Sequence, residues 1–349
     1  MKALGLQKTL GIGMIGAGSI SDLHAVGFNE ESHSKIIAYA DVNRALAETK
    51  AKKFGALTFY DSVKDLLKDD RIDAVDICVP TAYHAEVAVQ ALEAGKHVFL
   101  EKPMARTVKE CDQIIEASKR SGTKLMVDHS LMFFPPYIEC KKIVDEGGLG
   151  QMIKVRATQM AGHRYMGWRA DPKITGGGLL IEGLVHPIYL SQWFLGEIEE
   201  VSAMIGKTDD KVQAEDVVSM TLKTKGGYGV VDANLNGPPP LWDDHLELVG
   251  TKGMLIANGA ETQILQGPPL LYYHDGFWKV YRDLSYEGYP FPNEIEWNWP
   301  KAFVYAVREF TSSISEDRSP KVTGENGRRV IQVVEAAYES ARTKRVVSV

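Results

Sequence analysis

Two groups of residues have the types and spacing for chemistry. The first is Glu101-Lys102-Pro103, an acid, a base and a proline that end the apolar run His97-Val98-Phe99-Leu100. A lysine at the end of a buried strand is where a cofactor and a second reactant can meet. The second is Glu182 and His186, four residues apart in the otherwise apolar stretch Leu179–Leu190 behind the triple glycine Gly176-Gly177-Gly178. That spacing puts both side chains on one face of a helix. A buried acid needs a partner, and an imidazole exchanges protons near neutrality. Pro187 disfavours helical geometry at His186 and crowds the carbonyl of Gly183, which predicts a kink or break at His186.

A third motif points to a nucleotide. Thr9–Gly16 reads as a short buried strand, followed by Gly16-Ala17-Gly18-Ser19-Ile20-Ser21 and a helix. This is G-x-G-x-x-S, one residue from the dinucleotide fingerprint. Gly16 makes the tight turn, Gly18 lets a pyrophosphate approach the backbone, and the free N–H groups at Ser19 and Ile20 bind it. Ser21 takes the place of the third glycine. The next strand, Lys35–Ala40, ends in Asp41, an acid positioned to accept the adenosine ribose hydroxyls and to repel a 2′-phosphate. The expected cofactor is therefore NAD, with NADP less favoured; Arg44 is near enough to stack on adenine.

The elements that hold these residues alternate strand and helix. Short strands are read at Leu57–Tyr60, Ala74–Val79, His97–Leu100 and Lys124–Val127, with helices at Val63–Leu67, Tyr83–Ala94 and Thr107–Ser118. Such a pattern implies a parallel, doubly wound sheet, with ligands outside the carboxyl ends of the strands. Those ends are Gly16, Asp41, Pro80-Thr81, Glu101-Lys102 and Asp128-His129. Pro135-Pro136 breaks the pattern. A helix at Tyr137–Glu146 then leads to strands at Met152–Met160, Glu200–Gly206, Asp216–Lys225, Gly229–Leu235, His245–Val249 and Gly253–Ala257. They read as a large, mostly antiparallel sheet. A proline- and tryptophan-rich loop at 289–300 and two helices, Trp299–Ser315 and Gly324–Thr343, follow. Tyr137-x-x-x-Lys141 copies the Tyr-Lys signature of short-chain dehydrogenases, but it follows the double proline and is read as a decoy.

Composition bounds the reading. A chain of 349 residues is too long for one ordinary core and suggests two domains, 1–128 and 129–349, with the last helix able to pack back on the first. The net charge of -6 argues against nucleic acid, and no apolar run approaches a membrane span. The three cysteines, Cys78, Cys111 and Cys140, form neither a disulfide frame nor a CxxC pair, and no cluster has metal spacing, so no metal is expected. A cytoplasmic location is expected.

With these residues in view, the chain resembles the glucose–fructose oxidoreductase/inositol dehydrogenase/rhizopine-catabolism (Gfo/Idh/MocA) family over nearly its whole length. The resemblance rests on Gly13–Ile20 with His24, Val79-Pro80-Thr81 with His84, Gly95–Pro103, Trp168-Arg169, the triple glycine leading to His186, and Val322–Gly327 before the last helix. It implies a Rossmann domain, a C-terminal α/β domain whose open sheet joins copies into a homodimer or homotetramer, and NAD(P)-linked oxidation of a sugar or polyol hydroxyl. Members similar to inositol dehydrogenase carry Asp-x-x-x-His where this chain has Glu182-x-x-x-His186, and many have an aspartate where Tyr189 stands.

The expected roles follow. His186 is the base, Glu182 orients it, and Lys102 stabilises the developing alkoxide. Gly16, Gly18, Ser19, Ile20, Asp41, Arg44, Pro80, Thr81, His84, Glu101, Lys102 and Arg169 are candidates for the cofactor. Lys102, Asp128, His129, His163, Tyr165, Trp168, Glu182 and His186 are candidates for the substrate. Oxidation of an aldose at C1 to the lactone or of an inositol-like ring hydroxyl is the leading reading. An NAD-retaining epimerase, lyase or glycosidase is the alternative, and a non-catalytic NAD-binding regulator is the third.

Overall fold

The computed structural model describes residues 9–162, 165–238, 242–258, 270–281 and 299–349. The chain separates into two compact units, Met1–Ser130 with Phe303–Arg328, and Leu131–Ala302 with Arg329–Val349. A linear division at 128 leaves Phe303–Arg328 with the second part, whereas its contacts assign it to the first.

The first unit runs β1 (Leu10–Ile15), α1 (Ile20–Glu30), β2 (Ser34–Ala40), α2 (Arg44–Phe54), β3 (Thr58–Tyr60), α3 (Val63–Leu67), β4 (Ala74–Ile77), α4 (His84–Glu93), β5 (His97–Glu101), α5 (Val108–Ser121) and β6 (Leu125–Asp128). Among the described residues the sheet has six parallel strands in the order β3-β2-β1-β4-β5-β6. Every residue of β1 and β4 is buried, as a sheet covered on both faces demands. The order reverses between β1 and β4, which opens a crevice at their carboxyl ends. Local chemistry sets the helix ends. Asn43, Ser62 and Thr107 each accept a backbone N–H from the first turn that follows, worth about 1 kcal/mol apiece. Gly55 and Gly122 close α2 and α5 at φ 74° and 70°.

The second unit contains α6 (Pro135–Asp145), β7 (Met152–Ala161), α7 (Pro172–Thr175), α8 (Leu179–Glu182), α9 (Val185–Leu195), β8 (Ile198–Gly206), β9 (Val217–Thr224), β10 (Gly227–Asn234), β11 (Trp242–Gly250), β12 (Gly253–Asn258), β13 (Leu270–His274) and β14 (Phe277–Tyr281). Helix α10 (Trp299–Ser315) crosses into the first unit, α11 (Gly324–Thr343) returns, and β15 (Val347–Ser348) ends the chain. Among the described residues the sheet has nine strands, β14-β13-β12-β11-β7-β10-β9-β8-β15, antiparallel except for the β7–β10 pair. Phe134, Tyr137, Val155, Leu190, Phe194, Leu246 and Leu248 fill the core of this unit. Tyr137 is therefore a core residue and Lys141 pairs with Asp145, which removes both from any Tyr-Lys chemistry.

Two features differ from the sequence reading. The β13–β14 hairpin and β15 were not expected from the pattern. The loop expected at 289–300 lies outside the described residues up to 298, and Trp299 already opens α10. The helix break falls one turn earlier than expected. Helix α8 stops at Glu182, Gly183 caps it, and α9 restarts at Val185. Pro187 is thus the third residue of a new helix, where its missing N–H has no intrahelical partner to lose. Among the described residues no helix is long and apolar enough to cross a membrane.

Candidate active site

The glycine turn has the geometry a dinucleotide needs. Gly16 adopts φ 95°, and a Cβ there would lie 2.6 Å from the Cys78 carbonyl oxygen, so only glycine fits. A Cβ at Gly18 would meet nothing within 4 Å, so its backbone borders open space. Ser19 makes no side-chain cap to α1, which leaves first-turn amides of Ile20 and its neighbours for an anion. The acid in that turn, Asp22, is neutralised by Lys50 and Lys53 of α2. Ser21 is fully buried and donates its hydroxyl to the Gly18 carbonyl at 2.8 Å, fixing the loop. Asp41 Oδ2 accepts the Ala17 N–H and Oδ1 the Asn43 N–H, both at 2.8 Å. Arg44 reaches Asp61 at 3.2 Å and lies 5.0 Å over the Phe59 ring. These groups fit a bound NAD.

Strand β5 delivers Glu101 and Lys102 to the same edge of the sheet. Glu101 is buried and its carboxylate accepts the Lys102 backbone N–H. Burial pushes the Glu101 carboxyl up to about 7, against the pull of the Lys102 charge, with Asp128 adding to the rise. Pro80 and Thr81 form the turn after β4, with Thr81 buried. His84, a candidate for the cofactor, instead faces backbone with both ring nitrogens: Nδ1 is 2.8 Å from the Pro103 oxygen and Nε2 2.9 Å from the Val79 oxygen. It ties the β4 and β5 turns together. Burial lowers its pKa despite those carbonyls.

Asp128 and His129, expected near substrate, are both buried. Burial and the Lys102 charge hold His129 down to about 3, so it is neutral. Asp128 belongs to an internal array. His24 of α1 places Nδ1 2.9 Å from Asp76 Oδ1 and Nε2 3.2 Å from Asp128 Oδ2, with all three side chains fully buried. Cys78 Sγ lies 3.4 Å from Asp76 Oδ2. Burial opposes a charge on His24, but Asp76, Cys78 and the bond to Asp128 outweigh it and hold its pKa well above the ordinary value. Burial raises Asp128 despite the bond from His24. The ligand atoms of His24, Glu101 and Asp128 lie within 4.8 Å of one another, as do those of His24, Asp76 and Cys78. Each imidazole nitrogen faces a carboxylate.

In the second unit Glu182 is buried and His186 half-buried, on opposite sides of the Gly183–Leu184 break. Glu182 Oε2 is 3.6 Å from Arg169 Nε, and the Arg169 guanidinium also lies 4.9 Å over the Trp168 ring. Arg169, expected at cofactor or substrate, is thus the counter-ion of the candidate acid. Tyr165, Arg169, Gly178, Lys211, Glu215 and Asn236 line a cavity of about 70 Å³. Burial, then the Glu182 charge, pushes the Tyr165 hydroxyl up. Glu215 Oε1 accepts the N–H groups of Gly178 at 2.9 Å and Leu180 at 3.1 Å, and the Tyr338 hydroxyl at 2.6 Å. It anchors the start of α8. Tyr189 is buried, which pushes its hydroxyl up to about 12. His163 lies outside the described residues.

In the sequence reading His24 serves only as part of the family resemblance, and Asp76 has no role. The signal was present: Asp76 is a charge in the middle of Ala74-Val75-Asp76-Ile77-Cys78-Val79, a strand otherwise apolar. A buried acid demands a partner, and the helix after the glycine turn supplies one.

Comparison with known proteins agrees with the fold and cofactor. Residues 10–129 match the oxidoreductase family with an NAD-binding Rossmann fold, and residues 137–256 match the GFO/IDH/MocA C-terminal domain. Myo-inositol 2-dehydrogenase of Thermotoga maritima is 26% identical, over 96% of this chain and 97% of that protein. Levoglucosan dehydrogenase of Pseudarthrobacter phenanthrenivorans is also 26% identical, over 96% of this chain and 97% of that protein. A solved levoglucosan dehydrogenase in complex with NADH and levoglucosan superposes with a TM-score of 0.87 at 24% identity, covering 97% of this chain and 99% of that one.

Proposed function

The chain belongs to the Gfo/Idh/MocA oxidoreductases, and from that premise we propose that it is a dehydrogenase that oxidises one hydroxyl of a sugar or polyol and prefers NAD to NADP. One observation carries the reading: Lys102 follows β5 at the carboxyl edge of the sheet that also presents the Gly16–Gly18 turn and Asp41. Bound NAD supplies the two-electron acceptor for the carbon bearing the hydroxyl. Lys102 donates a hydrogen bond to that hydroxyl and stabilises the alkoxide as its proton leaves. His186 takes the proton, a role suited to an imidazole at neutral pH. Glu182, paired with Arg169, is a fixed charge at the end of α8 that orients this part of the pocket. Tyr165 and Trp168 contact the sugar, and the relatives named for inositol and levoglucosan support a polyhydroxylated substrate. Exposed Met204 and Tyr228 on the second unit's sheet support a homo-oligomer formed through that sheet, which light scattering tests.

The test is a panel of aldoses, inositols and anhydrosugars followed by NADH absorbance. Lys102→Met and His186→Ala should each lower kcat by about 10²–10⁴, and the double variant should lose less than the product of the two if both act on one hydroxyl. A panel without turnover, or variants with wild-type rates, would overturn the reading.

A further inference from the structure

The His24 array does not enter the reaction as derived above. Three carboxylates are buried on neighbouring strands: Asp76 within β4, Glu101 at the end of β5 and Asp128 at the end of β6. Burying a charge costs several kcal/mol per ion unless it is compensated. An apolar side chain on α1 would fill the same space without that cost. The compensation is the single imidazole, which faces one carboxylate from each nitrogen. A neutral imidazole has one N–H and satisfies one of the two; an imidazolium satisfies both.

We propose that the Asp76–His24–Asp128 array is a positioning device for Glu101–Lys102: the imidazolium opposes the burial and the Asp128 charge that favour a protonated Glu101, so that His24 sets how much negative charge stands beside Lys102. The role given to Lys102 rests on the dehydrogenase reading; the array itself does not. His24 is a positioning residue, since it acts through Asp128 and Glu101. The groups that face it are Tyr39 from β2, Asp76 and Cys78 from β4 and its turn, Glu101 and Lys102 from β5, and Asp128 from β6. The remaining sides are aromatic, with Phe99 of β5 at 5.4 Å and Phe303 of α10 at 5.1 Å. Asp22, two residues earlier on α1, is already held by Lys50 and Lys53.

The array has a sign. Replacing His24 by a neutral side chain removes the positive charge and makes Glu101 hold its proton to higher pH. Replacing Asp76 by a neutral one removes a negative charge and does the reverse. The full chain loaded with NAD is titrated by infrared difference spectroscopy, with the carboxyl band of Glu101 identified by its loss in Glu101→Gln. His24→Gln should raise the ionisation midpoint by about one pH unit or more, a tenfold change in the ratio of the two forms. Asp76→Asn should lower it. The acidic limb of kcat/KM on the substrate found by the panel should move with the midpoint. A structural role alone would scale activity without moving either. If both variants leave the midpoint at its wild-type value, the proposal is overturned. Should His24→Gln not fold, the opposite shift in Asp76→Asn decides. The infrared titration needs no turnover, so it stands or falls separately from the dehydrogenase reading.

Discussion

The Asp41 carboxylate holds the Ala17 amide at 2.8 Å, which fastens the end of β2 to the glycine turn. The same acid therefore braces the cofactor loop and, in the proposed reading, supplies the negative charge that disfavours a 2′-phosphate. Asp41→Ala should weaken NADH binding about tenfold, roughly 1.4 kcal/mol, and reduce the preference for NAD over NADP by a similar factor. Fluorescence titration with both nucleotides measures this. An unchanged preference would show that Asp41 only braces the loop.

The two glycines of the turn should fail differently. At Gly16 a side chain meets both a left-handed φ and the Cys78 carbonyl, so Gly16→Ala should destabilise the fold by about 1–3 kcal/mol and abolish cofactor binding. At Gly18 the space is open. Gly18→Ala should keep the wild-type Tm yet bind NADH at least about tenfold more weakly. Calorimetry with a binding titration separates the two, and equal loss of Tm in both would contradict the assignment.

Glu101 makes stability depend on pH in a defined direction. Its carboxyl titrates near 7 in the fold and near 4.3 when unfolded. Between these values the native state binds the extra proton. Its contribution is therefore present below about pH 4.3 and is lost as pH rises through 7. His129, held neutral down to about 3, acts oppositely and adds stability as pH rises towards 6.5. Comparing wild type with Glu101→Gln in denaturant titrations at pH 5 and pH 7.5 isolates the first effect. The wild type should lose ground relative to the variant at the higher pH; a constant difference would mean Glu101 titrates normally.

Tyr338 reaches from α11 to Glu215, and Glu215 in turn holds the amides that begin α8. Tyr338→Phe should cost about 1.5–3 kcal/mol, because the lost bond is to a charged acceptor. Gly177→Ala should cost more, since its Cβ would lie 1.9 Å from the Tyr338 hydroxyl. Thermal unfolding ranks the two; an order reversed in Tm would mean that this corner relaxes freely.

What could be read from the sequence follows from which signals are local. The βα period, the glycine turn and the helix starts at Val63 and Thr107 depend on neighbours in the chain, so they could be placed to within a residue or two. The break before His186 was assigned to Pro187, because proline is the stronger breaker on its own. The break falls at Gly183–Leu184, the turn whose carbonyl Pro187 crowds and to which it can donate no N–H. The role of His24 is not local. Nothing near it in sequence shows that Asp76 and Asp128, far along the chain, arrive at its two nitrogens. Spacing alone likewise does not reveal the pairing of Arg169 with Glu182, because Glu182 lies beyond the triple glycine.

Phe303–Arg328 completes the first unit, yet it is synthesised after every strand of the second unit's sheet except β15. On the ribosome, Gly27 emerges long before Val307, which packs against it, and Phe99 long before Phe310, which stacks on it at 5.3 Å. The nascent Rossmann unit must wait with this aromatic face uncovered, a state prone to aggregation. A chain cut at residue 302 would keep the glycine turn, Asp41 and Lys102 and still lack its own lid. The cofactor domain of this protein is therefore begun first but completed only near the end of the chain, just before the last segment of the second unit, Arg329–Val349.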